Sequence, residues 1–147
     1  MWEVEEIGRA LGAKGLEIVE SRRGDDPAVK LLVRGRKLCH LVELRFVEDV
    51  SHAVIRGVLP TPFDEVPLEF VNELNNCIDL VKCYRPIEAP NIVLLVFHTI
   101  CASPEMLTDA ILRCEEAFER ALDLLKQRKE VRYEGKVQDL REERADG

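Results

Sequence analysis

Ser103-Pro104-Glu105 opens the segment that most constrains what this chain can fold into. A serine that can cap, a proline where the first turn has no hydrogen bond to lose, and an acid facing the helix dipole together mark a helix start. Behind it Leu107, Ala110, Ile111, Cys114, Ala117, Phe118, Ala121 and Leu125 recur on a 3.6-residue period. Asp109, Arg113, Glu116, Arg120, Asp123 and Gln127 trace the other side, where Leu112 alone interrupts the polar pattern. Asp109–Arg113 and Glu116–Arg120 add favourable i,i+4 pairs. A helix of about six turns with one apolar face needs a surface to lie on, so the rest of the chain must build one. From Lys126 the sequence becomes strongly charged, and residues 129–147 read as a tail that prolongs the helix or frays.

The surface is made of strands. Leu38 to Val47 alternates most clearly, with Leu38, Val42, Leu44 and Phe46 opposed to Glu43 and Arg45. Leu16–Ser21, Val29–Arg34, His52–Leu59 and Ile78–Tyr84 are further strands, with turns at 23–27 and at Gly35. Ile92 to Ile100 is apolar on both sides: Ile92, Leu94, Val96, His98 and Ile100 on one, Val93, Leu95, Phe97 and Thr99 on the other. Such a strand is covered twice or sits in an interface. Successive runs joined by short polar turns imply antiparallel pairing.

Two shorter helices complete the order. Val4, Ile7 and Leu11 define the first, with Trp2 anchoring its start and Gly12 and Gly15 ending it. Asp64 caps the second, which runs to about Asn76 on a stripe of Phe70, Val71 and Leu74, and Asn75-Asn76 end it in a left-handed conformation. The sequence therefore predicts an α+β fold, α-β-β-β-(β)-α-β-β-α. It is an antiparallel sheet of five to six strands with three helices, in a single domain over 1–128.

Composition narrows the function. The 147 residues suit one core, and a chain 46% apolar and 33% charged is globular with a charged surface. The apolar run Ile92–Phe97 is far shorter than the roughly 20 residues of a membrane span, and the acidic start is unlike a signal peptide, so a cytoplasmic protein is expected. A net charge of −7 argues against general nucleic-acid binding. Arg22, Arg23, Lys30, Arg34, Arg36 and Lys37 nevertheless crowd two strand turns, as a solvated edge or as an anion patch. Five cysteines without a Cys-x-x-Cys fit neither a disulfide framework nor a zinc ribbon; Cys39, Cys83 and Cys114 read as free thiols of the core. Sparse Asn, Gln, Ser and Thr beside abundant Glu and Arg is a thermophilic bias.

No catalytic motif occurs. Ser51 and His52 are adjacent in a strand and point to opposite faces, so they cannot act as nucleophile and base. His40, His52 and His98 with Cys39, Cys83 and Cys101 are candidate ligands, but Cys39-His40 and His98–Cys101 each split between two faces. The expectation is no enzyme, no metal and no cofactor.

Phe70-Val71-Asn72-Glu73-Leu74-Asn75, followed by two strands and a long terminal helix, resembles the YbjN family, described as sensory-transduction regulators. The resemblance spans most of residues 1–128. It implies a fold like that of type III secretion chaperones and a protein-binding role, chaperone-like or regulatory, in place of catalysis. Asn72 and Asn75 share one helical face and, with Phe70 and Leu112, are candidate partner contacts; the alternative is that the amides serve the local backbone. The partner is a protein or peptide, and the working surface is a homodimer that buries part of strand 92–100 or of helix 70–74. A small-ligand or anion sensor is the alternative function.

Overall fold

In the computed structural model, residues 1–24 and 27–146 are described, with side chains through Arg128. The chain runs α1 (Val4–Gly12), β1 (Glu17–Arg23), β2 (Ala28–Arg34), β3 (Cys39–Val47), β4 (Val50–Pro60), α2 (Leu68–Cys77), β5 (Lys82–Tyr84), β6 (Ile92–Cys101) and α3 (Pro104–Asp146). This is the α+β fold expected, with six strands, antiparallel throughout, in the order β1-β2-β3-β4-β6-β5. β1 to β4 form a meander. β6 then pairs with β4 from Ser51↔Cys101 to Pro60↔Ile92, and β5 caps that edge through three residues.

Alternation sorts the sheet into two faces. Val29, Leu31 and Val33 of β2, Val42, Leu44 and Phe46 of β3, Ala53, Ile55 and Leu59 of β4, and Val93 and Leu95 of β6 are all buried. The helices lie on this inner face. α3 supplies Leu107, Ile111, Cys114, Phe118 and Ala121, and α1 supplies Ile7 and Leu11. Ser103 caps α3, its hydroxyl accepting from the Met106 N–H at 3.2 Å. Trp2 is buried against Phe46 at 5.1 Å, and its indole N–H donates to the Asp49 carbonyl at 2.9 Å. Gly57 lets α3 approach, because a Cβ there would overlap the Phe118 ring.

Several local expectations are corrected. α2 begins at Leu68 behind Pro67, not at Asp64, and it passes through Asn75 and Asn76 to end at Ile78 in extended backbone (φ −123°). Glu48, in the β3–β4 turn, is the non-glycine residue with positive φ (57°) among those described, so neither asparagine is left-handed. The strand expected at Ile78–Tyr84 shrinks to Lys82–Tyr84. Leu112 does not stand apart on a polar face; it packs, partly buried, against the core. The α3 backbone is helical to Asp146, while the side chains of the charged tail, 129–147, lie outside the described residues. Arg128 ties α3 to α2: its guanidinium sits 5.5 Å from the Phe70 ring centre and reaches Glu69 at 3.2 Å and Glu73 at 3.5 Å.

Candidate functional site

The inner face holds a polar cluster built on His40 and Glu115. His40 points inward from β3 and is wholly buried, stacked on Phe118 with centroids 4.9 Å apart and planes 20° from parallel. Its Nε2 bonds to the Glu115 carboxylate of α3. The other oxygen of Glu115 accepts from the Arg36 N–H at 2.9 Å, and Gly35 is bare because a Cβ there would run into that carboxylate. The carboxylate thus fastens the β2–β3 turn and β3 to α3. Among the described residues His40 Nδ1 has no partner. Among the described residues no serine or cysteine is hydrogen-bonded to the imidazole. Three thiols buried elsewhere in the core are shifted toward their protonated form. Burial pushes Cys83 up to about 11, and burial with the Glu115 charge pushes Cys114 up to about 12. Burial also raises Cys101.

Two clefts open between helices. One, of about 520 Å³, lies between α1 and the start of α3 and is lined by Glu6, Arg9, Lys14, Glu105, Thr108 and Asp109 among others. The second, of about 460 Å³, lies beside the end of α2 with Asp79, Arg113, Glu116 and Arg120. Both mix acids and bases, three to two in the first and two to two in the second.

The outer face of the sheet is the unusual surface, because among the described residues many of its apolar side chains lie open to water. Leu41, Val47, Val50, Val58, Tyr84 and Ile100 are exposed there, Val47 at 78% and Ile100 at 67%. Register assembles them. Val58 faces Leu94 and His52 faces Ile100 across β4–β6, while Leu32 faces Leu41 and Val47 faces Val50 across β2–β3–β4. Val96 adds a side chain already 93% shielded by its neighbours, which gives the patch a solid floor. Charge is interleaved: Arg45 and Arg56 each bond to Glu43 at 3.4 Å. Burial works to raise the Glu43 carboxyl, but the Arg56 and Arg45 bonds outweigh it and hold the group below its ordinary value. At about 3.3 Å per residue and 4.8 Å between strands, six strands of these lengths present a face of roughly 700 Å².

The residues singled out from sequence distribute differently from the expectation. Phe70 is fully buried in the core and so is out of a partner's reach, while Leu112 is partly buried and packed against the core. Asn75 spends its amide within the chain, donating to the Cys83 carbonyl and accepting from the Cys83 N–H, each at 2.8 Å. It acts as a substitute strand neighbour for the short β5. Asn72 is exposed on α2, away from the sheet's outer face. With Phe70 and Leu74 fully buried, helix 70–74 turns only Asn72 and part of Glu73 outward. The basic residues form no single patch: Arg22 and Arg23 stand at one end of β1–β2, and Arg34, Arg36 and Lys37 at the other, roughly 20 Å away. Arg22, Arg23 and Arg34 lie 3.5–3.9 Å from Glu20, Glu3 and Glu17 in turn. Cys39, expected in the core, is exposed, because His40 takes the inward position beside it. Glu115, the residue that organises the inner cluster, had no signal beyond its place on the apolar flank of α3.

Among the described residues, no helix is long and apolar enough to cross a membrane. No group of three or more His, Cys, Asp or Glu residues is gathered as for a metal ion. Comparison with known proteins yields no matching family model, curated protein or solved structure.

Proposed function

We propose that this protein is a non-catalytic protein-binding module whose working surface is the outer face of its sheet, and that this face pairs with a second copy of the chain. The observation that carries the reading is the concentration of exposed apolar side chains there, with Leu41 51%, Val47 78% and Ile100 67% exposed on one side of one sheet. Monomers rarely leave contiguous apolar patches of more than a few hundred Å² to water. The whole outer face, apolar and charged positions together, measures roughly 700 Å², close to the about 800 Å² that each partner contributes to a standard interface. Glu43 is already paired with Arg45 and Arg56 within the chain, so covering the face leaves that carboxylate with its partners. The resemblance to the YbjN family, with its regulatory and chaperone-like associations, supports the same class.

Light scattering at micromolar concentration tests it. A dimeric mass is expected for the native chain and a monomeric mass for Ile100→Asp, whose side chain touches no part of the core. A native chain that stays monomeric at 100 micromolar overturns the reading.

A further inference from the structure

Two histidines meet on the outer face. His52 on β4 and His98 on β6 sit on adjacent strands, one pair out of register with each other: His52 faces Ile100, and His98 faces Val54. Their side chains therefore occupy a diagonal of the same face, with ring centroids 5.6 Å apart and planes 28° from parallel. Both are exposed, and among the described residues each ring's only polar or aromatic partner is the other. Two imidazoles left together, without a carboxylate or carbonyl to hold either, are an unspent pair of nitrogen donors.

We propose that His52 and His98 form a two-imidazole site for a borderline divalent transition-metal ion, such as Zn²⁺, Ni²⁺ or Cu²⁺. The geometry carries this. An ion held by two imidazole nitrogens at about 2.0–2.1 Å places the ring centroids roughly 4.5–5.2 Å apart, across square-planar to tetrahedral angles. The observed separation, 5.6 Å, lies within a small side-chain adjustment of that range. Only side-chain rotation is needed to converge the lone pairs, and at exposed positions rotamer changes are fast and cheap. The strands themselves are held by the longest ladder in the sheet, ten paired positions, so the donors sit on a rigid base. Imidazole suits these metals, whereas calcium and magnesium prefer oxygen. Glu43, bonded to Arg45 and Arg56, offsets part of the positive charge on the β3 side. With two protein donors the remaining coordination positions stay open to water or to a donor from another molecule. A modest, micromolar affinity follows. The site does not depend on dimer formation, although both lie on the same face.

The test is calorimetric titration of the full chain with Ni²⁺ at pH 7.5. A Cys39→Ser/Cys77→Ser background removes the two exposed thiols as competing ligands. Saturable binding is expected, weakened at least tenfold by either His52→Ala or His98→Ala. With Cu²⁺, electron paramagnetic resonance should show two equivalent equatorial nitrogens in the parent and one in each variant. Far-ultraviolet dichroism checks that the variants remain folded, and light scattering without metal reports dimer formation separately. One ion per chain places the ion on one pair; one ion per two chains places it between the pairs of two copies; either supports the site. Unchanged affinity in both histidine variants, or no saturation below one millimolar, overturns it.

Discussion

His40 and His52 belong to neighbouring strands of one sheet, yet they are opposite in every physical respect. His40 is sealed beneath Phe118, with its Nε2 committed to Glu115. His52 stands in water beside His98, committed to nothing else. The difference is parity in the strand, which sends one residue under the helices and the other onto the bare face. The inner face is where polar groups are expensive and must be matched; the outer face is where they are cheap and available. The matched polar contacts therefore concentrate on one side of the sheet and the uncommitted side chains on the other.

The largest effect that would break this contrast is at Glu115. Glu115→Leu leaves the His40 ring and the Arg36 N–H without their acceptor, and urea unfolding at pH 7 should show a loss of about 3 kcal/mol. The double change His40→Leu/Glu115→Leu should cost less than Glu115→Leu alone, since apolar pairs of similar volume often replace buried polar ones. Equal or greater loss in the double variant would show that the pair is not acting as a unit.

Gly57→Ala tests how tightly the inner face is packed. The added methyl overlaps the Phe118 ring, and a loss of about 2 kcal/mol is expected by the same measurement. Phe118→Leu in combination should recover part of it; strict additivity would mean the two positions do not meet.

A similar loss, about 2 kcal/mol in total, should appear on raising the pH from 8 to 9.5, from Cys83 and Cys114 together. Both thiols are pushed up in the folded protein, to about 11 and about 12, so the folded state keeps protons that the unfolded chain releases. The contribution is complete below the unfolded thiol value near 8.5–9 and declines as pH rises toward the folded values. Cys114→Ala should flatten the slope by about half. Ellman's reagent should label Cys39 and Cys77 rapidly and leave Cys83 and Cys114 untouched until unfolding.

Asn75→Ala should cost about 1 kcal/mol, because it removes both bonds to Cys83 that hold β5 at the sheet edge. Amide exchange at Tyr84 and Leu94 should quicken more than exchange in β2–β3. The smallest effect belongs to the outer face. Ile100→Asp should shift unfolding of the monomer by no more than about 0.5 kcal/mol, since the side chain is already in water, while abolishing the dimer. A large loss of monomer stability would mean that this side of the sheet contributes to the fold after all.

Most of this division was legible in the residues, for reasons that differ by element. α3 was readable because its cap, its dipole and its eight apolar positions all agree. β3 was readable because period-two alternation over nine residues has one interpretation. α2 was misplaced at both ends. Asp64 precedes an irregular stretch whose Val66 N–H bonds to Pro90, and Asn75 found a better use for its amide than ending the helix. β5 was overextended because Ile78 and Val81 are apolar through packing, not through pairing. The site was less legible than the fold. Phe70 and Leu112 looked available because exposure depends on what lies across from a helix, which spacing does not report.

The chain's own order of residues determined the α+β class, an antiparallel sheet of five to six strands and the apolar face of α3, because each rests on local periodicity and capping. It also determined that Ile92 to Ile100 would have two apolar sides. Which side the helices would claim was decided only in three dimensions, through the register of β6 on β4 and the crossing of α3 over Gly57. The same register brought His52 to His98, forty-six positions away in the chain, and the same crossing brought Glu115 to His40, seventy-five positions away. Periodicity is a property of neighbours in sequence; the partner of a side chain is a property of strand order and helix placement, which no single segment contains.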